Sequence, residues 1–87
     1  MSPNYQVEIV GAAKRQLRKL SKENQQRVLG AIEKLAQNPR PHGYKQLEAK
    51  ENLFRVRVGD YRIVYEIRDA ILFVYVLTVA HRREVYR

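Results

Sequence analysis

Residues 54–65 read FRVRVGDYRIVY, and the fold turns on them. Phe54, Val56 and Val58 alternate with Arg55 and Arg57. After Gly59-Asp60, Tyr61, Ile63 and Tyr65 alternate with Arg62, Val64 and Glu66. Both halves have the two-residue period of a strand. Gly at the first position of a two-residue loop supplies the positive φ of a type II′ turn, so a β-hairpin is expected. Such a loop also sets the register. Val58 should face Tyr61, Val56 should face Ile63 and Phe54 should face Tyr65, an aromatic and β-branched ladder suited to a buried face. The other face then carries Arg57 opposite Arg62, with Arg55 one step along. Like charges so placed cost about 1 kcal/mol when solvated at about 5 Å, and more where water is excluded. A chain selected for stability alone would avoid that pairing. A solvated basic face is common on antiparallel sheets, but three arginines on one face of one hairpin favour an anion site.

The rest of the composition points the same way. A chain of 87 residues is one domain, able to bury about 60 to 65% of the surface it exposes when unfolded. The net charge of +8 calls for a polyanionic partner: nucleic acid, a ribonucleoprotein, an anionic membrane or an acidic protein. There is no cysteine, which excludes disulfides and thiolate chemistry and is compatible with a reducing cytosol. No apolar stretch is long enough to cross a bilayer, and no apolar run follows a basic N-terminal segment. A soluble cytoplasmic protein is expected.

Along the chain, residues 5–10 read as an opening strand, and Gly11-Ala12-Ala13 begins a helix. Ala13, Leu17 and Leu20 recur at helical spacing, while Lys14, Arg15, Arg18 and Lys19 form an outward basic flank. That flank is either a solvated face or a strip of polyanion contact. Ser21 caps a second helix whose apolar stripe is Val28, Leu29, Ile32, Leu35 and Ala36. Asn38-Pro39 ends it, because the residue before proline avoids the helical region. Residues 39–43 form a loop with His42 as a solvated histidine, residues 44–47 a short extended piece, and residues 48–52 a turn into the arginine hairpin. A turn at Arg68-Asp69-Ala70 leads to residues 71–79, apolar enough to be buried on both faces. The order strand, helix, helix, three-strand meander predicts an α+β domain: an antiparallel sheet of about four strands (β-α-α-β-β-β) with a helix hairpin on one face. The tail, residues 80–87, reads AHRREVYR, and places His81, Arg82, Arg83 and Tyr86 at the end of the sheet, within reach of the arginine face.

The absent residue types narrow the chemistry. No His/Cys cluster and no carboxylate pair at metal-ligand spacing occurs, and no glycine-rich phosphate loop. No metal or cofactor is expected. Arginines neutralise a phosphodiester and the charge that develops on its pentavalent transition state, but stay protonated and cannot act as a base. In RNA the 2′-hydroxyl is an internal nucleophile that needs positioning, deprotonation and phosphorane stabilisation.

With the hairpin ending DYRIVYEI and the terminal HRREVYR in this order, the sequence resembles the RelE/ParE superfamily of bacterial toxins, and within it the RelE-type messenger-RNA interferases. The resemblance covers nearly the whole chain. It implies docking in the A site of the 70S ribosome and cleavage of the bound codon to a 2′,3′-cyclic phosphate and a 5′-hydroxyl. It also implies an acidic, partly disordered RelB-like antitoxin in a toxin–antitoxin hetero-oligomer. Arg55 and Arg57 match the family's paired basic positions before the turn, where the best-known members have lysines. Arginine cannot replace a lysine base, so His81, Lys45 or a ribosomal group would take the proton. Arg62 matches the arginine after the turn, and Arg82 the basic position after the last strand. Tyr86 matches the tail tyrosine that stacks on a base or orients the nucleophile, and His81 a position occupied by histidine in several relatives. Some relatives have a glutamate base before the hairpin; here the nearest position is Lys45. Lys14, Arg15, Arg18, Lys19, Lys45 and Arg83 are candidate contacts to RNA or ribosome. Two other readings share the fold: a ParE-like toxin that binds DNA gyrase, and a non-catalytic RNA or ribosome binder.

Overall fold

The structure, a computed structural model, describes residues 4–47 and 52–81. The elements run β1 (Gln6–Ile9), α1 (Gly11–Arg18), α2 (Lys22–Gln37), β2 (Lys45–Gln46), β3 (Leu53–Val58), β4 (Tyr61–Arg68), a 3₁₀ turn (Asp69–Ile71) and β5 (Phe73–His81). One sheet holds all five strands in the order β1-β5-β4-β3-β2. The sheet is therefore larger than the four strands expected, and mixed: β1 lies parallel to β5, while the other pairs are antiparallel. The meander leaves the β5 edge open, and the helix pair between β1 and β2 provides the long connection that a parallel pairing needs.

Both helices cover one face. Ala13 and Leu17 from α1 and Val28, Ile32 and Leu35 from α2 pack against Phe54, Ile63, Tyr65, Ile67, Val74, Val76 and Val79 of the sheet. Ser21 caps α2 by accepting from the Asn24 amide, and Asn38 ends it in extended conformation, as the following proline demands. Leu29, expected in the apolar stripe, is 38% exposed. Strand β5 also departs from expectation. It starts at Phe73 because residues 69–71 form the 3₁₀ turn, and its burial alternates over residues 73–76, while Val79 and Ala80 are both buried near its end. Its register on β4 jumps from Val64↔Thr78 to Tyr65↔Val76, and this bulge keeps both Val79 and Val76 on the core side. Past the end of β1, the Val79 amide donates to Gln16 Oε1 of α1 at 2.7 Å, which satisfies a strand edge that no strand covers.

The arginine hairpin has the expected register throughout, including Arg57↔Arg62. Gly59 has φ +59°, and Asp60 is not among the residues with positive φ, the pattern of a type II′ turn. A Cβ on Gly59 would meet only Arg27 Nη1, at an ordinary 3.8 Å. Gly59→Ala is thus expected to cost ~1 to 2 kcal/mol from the backbone alone, seen as a lower denaturation midpoint at unchanged m-value. An unchanged midpoint would show that the turn relaxes.

A second fastening joins the chain after α2 to the far side of the sheet. Arg40 donates to both carboxylate oxygens of Asp69, at 3.2 and 2.8 Å, and the Tyr5 hydroxyl donates to Asp69 Oδ1 at 2.6 Å. The Arg40 hydrogen bonds, then that of Tyr5, hold the Asp69 carboxyl at about 2 rather than 3.8. A carboxyl depressed in the folded state stabilises fully above its unfolded pKa and loses that contribution as pH falls towards its folded one. The Tm gap between wild type and Asp69→Asn should therefore be constant above about pH 5 and shrink between about pH 4 and 2. A gap independent of pH would refute the pairing.

Candidate functional site

The face not covered by helices carries the arginines, because β3 alternates Phe54, Val56 and Val58 inward with Arg55 and Arg57 outward. Arg62 stands opposite Arg57, and Lys45 of the edge strand β2 stands opposite Arg55. Lys45, Arg55, Arg57 and Arg62, with Gly43 from the preceding loop, line one cleft of about 410 Å³. Two cross-strand cation pairs thus lie side by side, about 6.6 Å apart along β3. No carboxylate is among the residues lining the cleft. Glu66, further along β4 on the same face, is paired with Arg68.

Arg62 corrects the expectation of an exposed side chain: it is 4% exposed, the one charged residue among the buried positions described. A guanidinium in a site with little water interacts with an anion far more strongly than one in bulk solvent. Gly43, which reaches the cleft with φ +89°, was not anticipated. Nor was its anchoring: Tyr65 donates its hydroxyl hydrogen to the Pro39 carbonyl at 2.8 Å, and the Arg40 guanidinium sits 5.5 Å over the Phe54 ring. Tyr44 contacts the same ring at 5.8 Å. These links hold residues 39–44 against β3 and β4 and set where Gly43 and Lys45 stand.

His81 goes elsewhere. It is opposite Tyr61, whose side chain packs on the core with the helices, and the two rings meet edge to face at 5.3 Å. The sheet therefore separates His81 from the arginine cleft, contrary to the expectation that it would reach that face. Lys14, Arg15, Arg18 and Lys19 are exposed along and just beyond α1, again on the helix side. Arg82, Arg83 and Tyr86 lie outside the described residues, as does most of the turn expected at residues 48–52.

The charge of the cleft suits an extended anion. Its three arginines can neutralise phosphate oxygens and developing negative charge but cannot act as a base. Lys45 is the one cation among the lining residues that is not an arginine. The arginines stand on the hairpin, and the lysine stands on the edge strand.

Known proteins share this fold and part of this sequence. Residues 7–86 match the family model described as the ParE toxin of the type II toxin–antitoxin system parDE. Among solved structures, the toxin–antitoxin complex RelBE2 of Mycobacterium tuberculosis contains a chain 30% identical to this one. The match covers 94% of this chain and 95% of that chain, with a TM-score of 0.82. The archaeal RelE–RelB complex from Pyrococcus horikoshii is similar at 28% identity, over 94% and 97% of the two chains, with a TM-score of 0.81. The isolated Escherichia coli RelE toxin, at 23% identity over 94% and 90%, shares the fold with a TM-score of 0.77. A search of curated proteins finds no match.

Proposed function

We propose, from the premise that this chain belongs to the RelE/ParE superfamily of type II toxins, that it is a messenger-RNA interferase acting on the ribosome. The four-cation cleft on the open sheet face is the observation that carries this reading. A phosphodiester lies across the Arg57–Arg62 pair, and the next phosphate along the strand lies on the Lys45–Arg55 pair. The 2′-hydroxyl attacks the adjacent phosphorus, the bond to the 5′-oxygen breaks, and a 2′,3′-cyclic phosphate and a 5′-hydroxyl result. Arg62, with little water around it, is placed to favour the phosphorane more than the ground state. Lys45 or a ribosomal group takes the proton of the 2′-hydroxyl, since His81 stands across the sheet, and water or a ribosomal group gives one to the departing 5′-oxygen. From the tail, Arg82 and Arg83 add phosphate contacts and Tyr86 stacks on an unpaired base. A RelB-like antitoxin is its partner, as in the similar complexes, and an acidic, partly disordered one would cover this basic surface and fold as it binds.

The test is to add purified protein to 70S ribosomes stalled with a defined codon in the A site, map the messenger, and assay the new 3′ end for a cyclic phosphate. A cut in that codon, absent on naked RNA, supports the reading. Intact messenger with intact ribosomes overturns it. The ParE description of the matching family model favours a second reading, inhibition of DNA gyrase. In that case supercoiling by gyrase is blocked while the messenger survives.

A further inference from the structure

Tyr61 and His81 form a wall shared by two clefts on the helix side of the sheet. One, of about 260 Å³, adds Asn24 and Arg27 from α2 and the Gly59-Asp60 turn. The other, of about 450 Å³, adds Gln16 from α1 and Lys19 and Leu20 from the α1–α2 connection. Nothing in the arginine cleft uses these groups. The Tyr61 hydroxyl accepts a hydrogen bond from Asn24 Nδ2 at 3.4 Å, and the ring is held edge-on to His81 at 5.3 Å. Exposed cations flank the aromatic wall. Lys19 is on one side and Arg27 on the other; Arg27's nearest carboxylate, Glu23, is 3.9 Å away, and both side chains are well solvated. A pair so exposed is worth a few tenths of a kcal/mol and leaves the guanidinium available.

An aromatic pair between two cations fits single-stranded nucleic acid: a base stacks on one ring, which the other braces edge-on, and its flanking phosphates take the cations. Asp60, at the rim, disfavours a phosphate beside it but can accept an amino hydrogen from a base edge. The location supports the same occupant. Tyr61↔His81 is the register pair next to Arg62↔Ala80, so these clefts open at the same end of the sheet as the arginine cleft, on its other face. An RNA strand bent around the Gly59-Asp60 turn touches both.

We infer that the Tyr61–His81 clefts bind a single-stranded RNA segment, a base stacked on one ring of the pair and its neighbouring phosphates on Lys19 and Arg27. The inference rests on the RNA reading above and extends it to a second surface. The full chain, isotopically labelled, would be titrated with an uncleavable 2′-O-methyl hexaribonucleotide. The Asn24 side-chain amide and the Gly59, Tyr61 and His81 backbone amides should shift along with those of Arg55, Arg57 and Arg62. The double substitution Lys19→Gln, Arg27→Gln should weaken binding about tenfold and flatten its dependence on log salt by about 1.4, the slope expected for two single-strand phosphates. Shifts confined to the arginine face, with unchanged affinity in the double variant, would overturn the second surface and leave the RNA reading standing. Absence of shifts on either face would overturn both.

Discussion

Arg62→Met is expected to reduce messenger cleavage at least ~10²-fold in a protein that still folds. The two halves of this result have separate causes. Arg62 is 4% exposed, and an arginine's aliphatic stem contributes packing that methionine largely keeps. The charge is another matter. Arg62 stands opposite Arg57 across the strands, and methionine takes one of the two charges out of the cleft. With a phosphorane in the cleft the same charge is a donor fork aimed at developing negative charge, and removing such a group typically costs ~10²- to 10³-fold in rate. Arg62→Ala should lose the rate equally, but also the stem, and melt a few degrees lower. Sulfate should raise the Tm of wild type more than that of the methionine variant, because the variant offers a bound anion one cation fewer. Ribosome-bound messenger mapping and thermal melts read both halves. Wild-type cleavage by a folded Arg62→Met protein would take Arg62 out of the mechanism.

What could be read in advance divides along a physical line. The hairpin register was legible because a two-residue Gly-Asp loop and a strict two-residue period leave one pairing that buries Phe54, Val56 and Val58 together. Arg57 opposite Arg62 followed directly, and with it the nucleus of the site. The pairing of β1 with β5 was not legible, since residues 6–9 and 73–76 are joined only by tertiary packing. The side of the sheet taken by His81 was missed for a related reason. The β5 bulge changes which residues of the last strand share a face, and no glycine or proline in residues 73–81 announces it. The burial of Arg62 depends on neighbours from several elements, and the pairing of Arg40 with Asp69 spans 29 residues. Local pattern sets the charge of the site; packing sets its depth and its rim.

That rim yields the second large effect. Tyr65→Ala is expected to cost ~3 to 5 kcal/mol, enough to unfold most of a domain of this size at 37 °C. Tyr65→Phe should cost ~1 to 2 kcal/mol and lower Tm by about 5 to 15 °C. Tyr65 is wholly buried in the core, its ring lies 6.1 Å from that of Phe54, and its hydroxyl is the donor to the Pro39 carbonyl. Phenylalanine fills the same space but leaves that carbonyl without its donor at a buried proline. The pH dependence tests the burial of this hydroxyl. Burial pushes the Tyr65 hydroxyl up to about 12 from 10, so the unfolded chain releases this proton first. The stabilisation is complete below pH 10 and is lost as pH rises towards 12. The Tm gap between wild type and Tyr65→Phe should therefore close over that interval, and a constant gap would sink the assignment. The consequence for activity follows from the path of the chain. Pro39 begins the loop that delivers Gly43 and Lys45 to the cleft, and a displacement of about 1 Å in a positioning group can cost up to ~10²-fold in rate. Tyr65→Phe should thus slow cleavage about tenfold at a temperature where it is still fully folded, although it touches no substrate. Undiminished cleavage in that variant would show that Arg40, over Phe54 and on Asp69, holds the rim unaided.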